Sequence, residues 1–220
     1  MKIEISEIIR QACPELALGI IECHTINTHT SEFLWNEMNH EISNIKANFT
    51  IEQINQRKEI SETRKTYKKL GKDPNRYRPS AEALCRRIVR GIPIYSVNTL
   101  VDIINIVSVR SGFSIGAFDI EKIKGDLILD KGNSYDEFEA IGRGILNIEG
   151  LPVYRDETGG IGTPTSDCER TKISADTTRL LVIINAFGGV EGLDNCIEHC
   201  ANLLYKYTEV SDLKIRIINE

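Results

Sequence analysis

NTLVDIINIVSVR, residues 98–110, is the stretch on which the fold turns. Leu100, Val101, Ile103, Ile104, Ile106, Val107 and Val109 make it apolar almost throughout, and their β-branched content permits a strand. The polar residues choose a helix: at helical pitch Asn98, Asp102 and Asn105 fall within an arc of roughly 60°. The spacing predicts a helix buried on nearly every side, with one narrow polar line. Two readings of that line stay open. Either Thr99 is the N-cap, Asp102 its capping-box partner and Asn105 a satisfied core amide, or the three polar residues border a cleft.

Upstream, Lys2–Ile5 and Leu16–Ile26 read as strands, and Ser31 caps a helix carrying Phe33, Leu34, Trp35 and Met38. A further helix is predicted from about Thr50 to Leu70, ended by Gly71. Pro79-Ser80 opens another, with Ser80 as N-cap and Glu82 in the first turn. Downstream the pattern changes to short strands at Ser114–Phe118, Leu127–Leu129, Ile145–Ile148, Leu151–Tyr154 and Leu180–Ala186, punctuated by glycines. A helix over Gly192–Tyr207 and a strand over Leu213–Ile218 follow. With helices mainly N-terminal and no βαβ rhythm, the class is α+β.

Of the 220 residues, 41% are hydrophobic and 27% charged, which is ordinary globular composition. MKIEISEIIRQACPEL lacks the apolar core of a signal peptide, and no apolar run is long enough to span a membrane. The expectation is a cytoplasmic protein; a monomer is compatible with the composition. The six cysteines form no CxxC pair. Cys196, His199 and Cys200 could face a metal, but Leu193, Cys196, Ile197, Cys200, Leu204 and Tyr207 share one helical stripe, so the cysteines are assigned to the core and no metal or cofactor is expected. No Walker A loop, GxSxG, HExxH or regular GxGxxG is present.

The charge is unevenly distributed. The chain carries −5, yet residues 57–90 hold twelve cations against Glu59, Glu62, Asp73 and Glu82, a window of +8 that leaves −13 for the remainder. Lys68, Lys69, Lys72, Arg76, Arg78, Arg86 and Arg87 lie in this band with Tyr67 and Tyr77 among them. Clustered cations neutralise phosphates and aromatic faces stack on unpaired bases, so the band is a candidate RNA surface. A solvated helix face is the alternative, weakened by the segregation of charge.

Arg78–Gly91, NTLVDIINIV and GFSIGAFD together resemble the B-three/B-four tRNA-binding and editing domain of the bacterial phenylalanyl-tRNA synthetase β subunit, over roughly Thr63–Asn185. YKKLGKDPNRYRPSAEAL resembles the free-standing bacterial proteins built on that domain. The resemblance implies a three-layer α/β structure around an unusual β-sandwich with a cleft between its halves. It also implies an N-terminal extension, 1–62, packed on a domain of 63–220, the two forming one compact unit. The partner it implies is tRNA, or a mischarged aminoacyl-tRNA hydrolysed in trans; the chain is not a synthetase.

Synthetase versions carry His before Ala-Phe-Asp where this chain has Gly116 before Ala117, Phe118 and Asp119. The resemblance places Glu169 at the synthetase's glutamate. Within ETGGIGTPTSDCERTKIS, residues 157–174, glycines such as Gly160 and Gly162 can present N–H groups to an oxyanion, Thr165 or Ser166 can donate, and Glu169 or Asp167 can orient water. A long hairpin loop is the plainer reading of the same glycines. The cleft set is Asn98, Asp102, Asn105, Gly116, Asp119, Gly160 and Gly162. Three functions remain: a free-standing deacylase, a non-catalytic RNA-binding module, and a binder of an amino-acid-like small molecule.

Overall fold

The computed structural model describes residues 1–219. In order the chain forms β1 (Ile3–Ile5), α1 (Glu7–Ala12), β2 (Ala17–His24), α2 (Glu32–Asn48), α3 (Lys58–Lys69), α4 (Ser80–Val89) and α5 (Thr99–Ser111). The β-rich part follows: β3 (Ser114–Asp119), β4 (Leu127–Lys131), β5 (Glu139–Ala140), β6 (Gly144–Ile145), β7 (Pro152–Asp156), β8 (Gly159–Gly162) and β9 (Arg179–Ala186), then α6 (Leu193–Tyr207) and β10 (Ser211–Ile218).

Two four-stranded sheets, ordered β1-β4-β7-β8 and β10-β2-β9-β3, stack as a sandwich, and β5-β6 is a small hairpin. Strand alternation explains the layers. Leu18 and Ile20 of β2, Leu181 and Ile183 of β9 and Phe118 of β3 face the other sheet, meeting Ile5, Leu129, Tyr154 and Ile161. Their neighbours Ile21, Val182, Ile184 and Ile115 face the opposite way, against Leu34 and Met38 of α2, Ile103 and Val107 of α5, and Cys200 and Leu204 of α6. The result is three layers, sheet on sheet on helices. Residues 3–24 contribute β1 to one sheet and β2 to the middle of the other, so the N-terminal segment is built into both sheets.

Several local expectations change. The helix expected from Thr50 begins only at Lys58, because Arg57 is extended and its guanidinium caps α5, donating to Val109 O at 2.8 Å and Arg110 O at 2.7 Å. Pro79, not Ser80, is the N-cap of α4, and the Ser80 N–H donates to Pro164 O at 2.8 Å. Asn98 rather than Thr99 caps α5, its side chain accepting from Val101 N at 3.0 Å; the Thr99 hydroxyl is engaged with Thr28 and His29 O. The strand expected over Ile145–Ile148 shrinks to Gly144–Ile145, and Gly159–Gly162, read as loop, is strand β8. Its glycines hid it, since they lack the apolar alternation by which strands are found.

Glu82 is fully buried between α3 and α4 and accepts from Arg64 Nη1 and Arg86 Nε, each at 2.8 Å. Both guanidiniums are mostly buried, so removing the carboxylate strands two cations. Glu82→Gln is expected to lower stability by about 3 kcal/mol in urea unfolding, with the slope unchanged.

Candidate functional site

Helices α4 and α5, strand β3 and segment 163–173 enclose a cavity of about 460 Å³. Its walls are branched and aliphatic: Leu84 from α4, Val101 and Ile104 from α5, Ile115 and Ala117 from β3, and Ile173. Polar groups enter at a few points, among them Ser80, Asn105, Ser166, Asp167 and Lys172. That mixture of apolar wall and sparse polar atoms is what small-ligand sites have in common.

Segment 163–167 is held by a tight turn. The Thr163 hydroxyl accepts from the N–H groups of Thr165 and Ser166, at 3.1 and 3.0 Å. This aims Asp167 between the sheets, where it meets an unusual gap. A Cβ on Gly162 would lie 2.5 Å from Phe118 Cζ and 2.9 Å from Asp167 Oδ1; one on Gly116 would lie 2.8 Å from the same ring atom and 3.5 Å from that carboxylate. Two missing side chains therefore make room for one ring and one carboxyl.

Asp167 is half-buried, its exposed edge turned to the cavity, and its nearest donor is the Ala117 N–H at a long 3.4 Å. Burial among apolar atoms pushes its carboxyl up to about 7, outweighing that one hydrogen bond. Among the described residues it is the one carboxylate in the cavity wall.

A second concavity, about 400 Å³, opens on the other side of Leu84, which lines both. Arg76, Arg78, Arg86, Arg87, Arg90 and Arg143 surround it with Ala83, Leu84 and Ile92, and no acid lines it. Glu82 neutralises Arg86 from beneath, and Arg87 donates to Pro93 O at 2.6 Å with its guanidinium over the Tyr95 ring. Arg76, Arg78, Arg90 and Arg143 have no acidic partner among the described residues.

The sequence-derived candidates scatter around this geometry. Asn105, Ser166 and Asp167 line the cavity. Asn98 caps α5; Asp102 is fully buried behind the wall, accepting from Thr30 and Ser96 hydroxyls at 2.6 Å and from Val97 N at 3.1 Å. Thr165 is buried against the Tyr67 hydroxyl at 2.9 Å, and Asp119, the last residue of β3, accepts from the Thr177 hydroxyl at 2.9 Å. Gly160 lies under Phe138, and Gly116 and Gly162 under Phe118.

Glu169 does not line the cavity. It pairs with Lys172 and accepts from Gly142 N at 3.3 Å, and the Lys172 contact holds its carboxyl below the usual range. The basic band also divides. Lys69 donates to Ala12 O and Lys72 to Asn147 O, each at 2.9 Å; Lys68 is exposed, and none of the three lines the arginine groove. Arg143 was missed because it stands alone between two glycines, far in sequence from the band.

The sequence model of the B3/4 domain matches residues 62–207. The chain belongs to the B3/4 domain family. No curated protein matches it. Among solved structures it is similar to an N-terminal fragment of the phenylalanyl-tRNA synthetase β-subunit from Pyrococcus horikoshii, at 13% identity and a TM-score of 0.46, across 95% of this chain and 50% of that one. The chain thus spans half the length of that fragment. The B3/4 match begins at residue 62, so β1 and β2, which this B3/4 chain builds into both its sheets, lie outside the matched region.

Among the described residues no group of three His, Cys, Asp or Glu is placed to hold a metal, and Cys196 and Cys200 are buried in the helix-side core, where burial pushes the Cys196 thiol up to about 11. No helix is long and apolar enough to cross a membrane.

Two outcomes follow from this B3/4 site. Gly116→His, the change that restores the residue of the resembled domain, drives a side chain into buried Phe118 and is expected to lose about 1–3 kcal/mol, read as a lowered Tm. Asp167 has a folded pKa above its unfolded value, so its ionisation opposes folding and its contribution falls as pH rises from about 4 to about 7. Asp167→Asn is expected to gain stability relative to wild type across that window, measured by urea unfolding at each pH.

Proposed function

We propose that this B3/4 chain binds aminoacylated RNA, takes the phosphates in the arginine groove and the amino acid in the cavity, and hydrolyses the ester between them. The observation that carries the reading is adjacency: the groove and the cavity share Leu84, so one polyanion with an apolar group at its end can fill both. Guanidiniums suit phosphate because they present several N–H donors in a fixed plane. The aliphatic walls suit an uncharged amino-acid side chain, which releases cavity water as it enters.

Hydrolysis at such a site needs a base for water and donors for the developing oxyanion. Asp167 supplies the base, with its pKa of about 7 matched to neutral solution. Water attacks the ester carbonyl carbon as its proton passes to Asp167; the bond to the ribose oxygen then breaks and that oxygen takes the proton back. Asn105 and Ser166 are side chains in the wall able to donate to the carbonyl oxygen, with Ser80 and Lys172 also lining it.

The test is release of amino acid from a panel of mischarged tRNAs. The rate is expected to rise with pH through about 7, and Asp167→Asn to lower it by about 10²-fold or more while RNA affinity holds. Binding without release from any species leaves RNA binding standing and removes hydrolysis. Replacing Arg78 and Arg90 with Gln is expected to flatten the salt dependence of binding, by about 0.7–0.9 per lost phosphate contact, whereas Lys68→Gln with Lys69→Gln leaves it unchanged. Equal effects of the two pairs would return the binding surface to the whole band.

A further inference from the structure

The cavity and the groove meet a second time, at the turn between β5 and β6. Ile141 lines the cavity and Arg143 lines the groove, two residues apart. The base of the hairpin is fixed: Phe138 and Ala140 are fully buried with Leu151, Val153 and Cys168. The tip is exposed, and Gly142 and Gly144 hold the left-handed backbone, φ +66° and +68°, that lets Arg143 project between them.

The same tip is tied to the segment carrying Asp167. Ala140 bridges to Cys168, the Ile141 N–H donates to Asp167 O at 3.0 Å, and the Gly142 N–H donates to Glu169 Oε1 at 3.3 Å. Glu169 in turn pairs with Lys172, itself a residue of the cavity wall. A load on Arg143 is therefore two peptide units from the main chain of the proposed base. Glu169, outside the cavity, gains a role as an anchor for the tip.

We propose that the β5–β6 turn is the subsite for the phosphate nearest the ester: Arg143 holds that phosphate, and Glu169 is a positioning residue that transmits the contact to Asp167. This rests on the aminoacyl-RNA reading above and deepens it. The ligand class it names is an acyl-nucleotide with a phosphate one nucleoside from the acyl group, which distinguishes it from a free amino acid or an unphosphorylated ester.

The probes are 3′-aminoacyl-adenosine with and without a 5′-phosphate, and the same pair as non-hydrolysable 3′-amides for binding. A charge-assisted contact of this kind corresponds to about tenfold, so in the wild type the phosphate is expected to tighten amide binding by about that factor and, through Glu169, to raise kcat for the ester as well. In Arg143→Ala the gain disappears, so that the probes with and without the phosphate bind and react alike. In Glu169→Gln the gain in amide binding persists while the gain in kcat is lost, a split that general loosening of the fold would not produce. Loss of affinity for both probes in Arg143→Ala, or a persisting phosphate gain, overturns the subsite. Absence of ester hydrolysis, with the amide pair still showing an Arg143-dependent phosphate gain, overturns the hydrolytic reading and the Glu169 role while the phosphate subsite stands.

Discussion

Phe118 lies against two glycines on two different sheets, and much of the molecule hangs on that contact. It projects from β3 into the space between the sheets and closes on Gly162 of β8, so it fastens the sandwich at its β3 edge. The same absence of side chains admits the Asp167 carboxyl beside the ring. A residue with a Cβ at either position would have to displace a buried aromatic or a carboxylate. Packing and chemistry are thus one constraint, and the place where a histidine stands in the resembled domain is the place where this chain has no room for one.

Around that point the molecule separates the tasks of its charges. Glu82 binds Arg64 and Arg86 in the interior, and Arg57 closes the end of α5. These cations stabilise helix packing, although their positions in sequence are indistinguishable from those of Arg78 or Arg90. Arg76, Arg78, Arg90 and Arg143, without acidic partners among the described residues, converge beside the cavity. On the proposed reading, the acidic body repels polyanions elsewhere and the arginine groove admits them.

Much of the fold was legible because apolar periodicity is strong where burial is two-sided. The 98–110 stretch reads as a helix and is one, and Arg179–Ala186 reads as a strand with both faces buried. The α+β class and the sandwich followed from those elements and from the family resemblance. What the sequence hid depends on three-dimensional partners. Gly159–Gly162 is a strand whose flat side is needed by Phe118 and Phe138, and nothing in four residues of Gly and Ile announces it. Asp167 and Glu169 were equivalent as carboxylates in one polar run; only the path of segment 163–171 sends one into the cavity and the other to the hairpin. Arg143 could not be found by local charge density, because long-range contacts bring it to the groove.

On the proposed reading, groove and cavity serve a single ligand. Isoleucine-methyl and arginine Nε NMR spectra, recorded during titration with an RNA minihelix, test it most directly. The minihelix would be used uncharged and as its non-hydrolysable 3′-aminoacyl amide. Arg78, Arg90 and Arg143 signals are expected to move with both RNAs, and Ile104, Ile115 and Ile173 methyls only with the aminoacylated one. Methyls that stay still with the aminoacylated RNA, or that move with a free amino acid while the arginines ignore RNA, would contradict it.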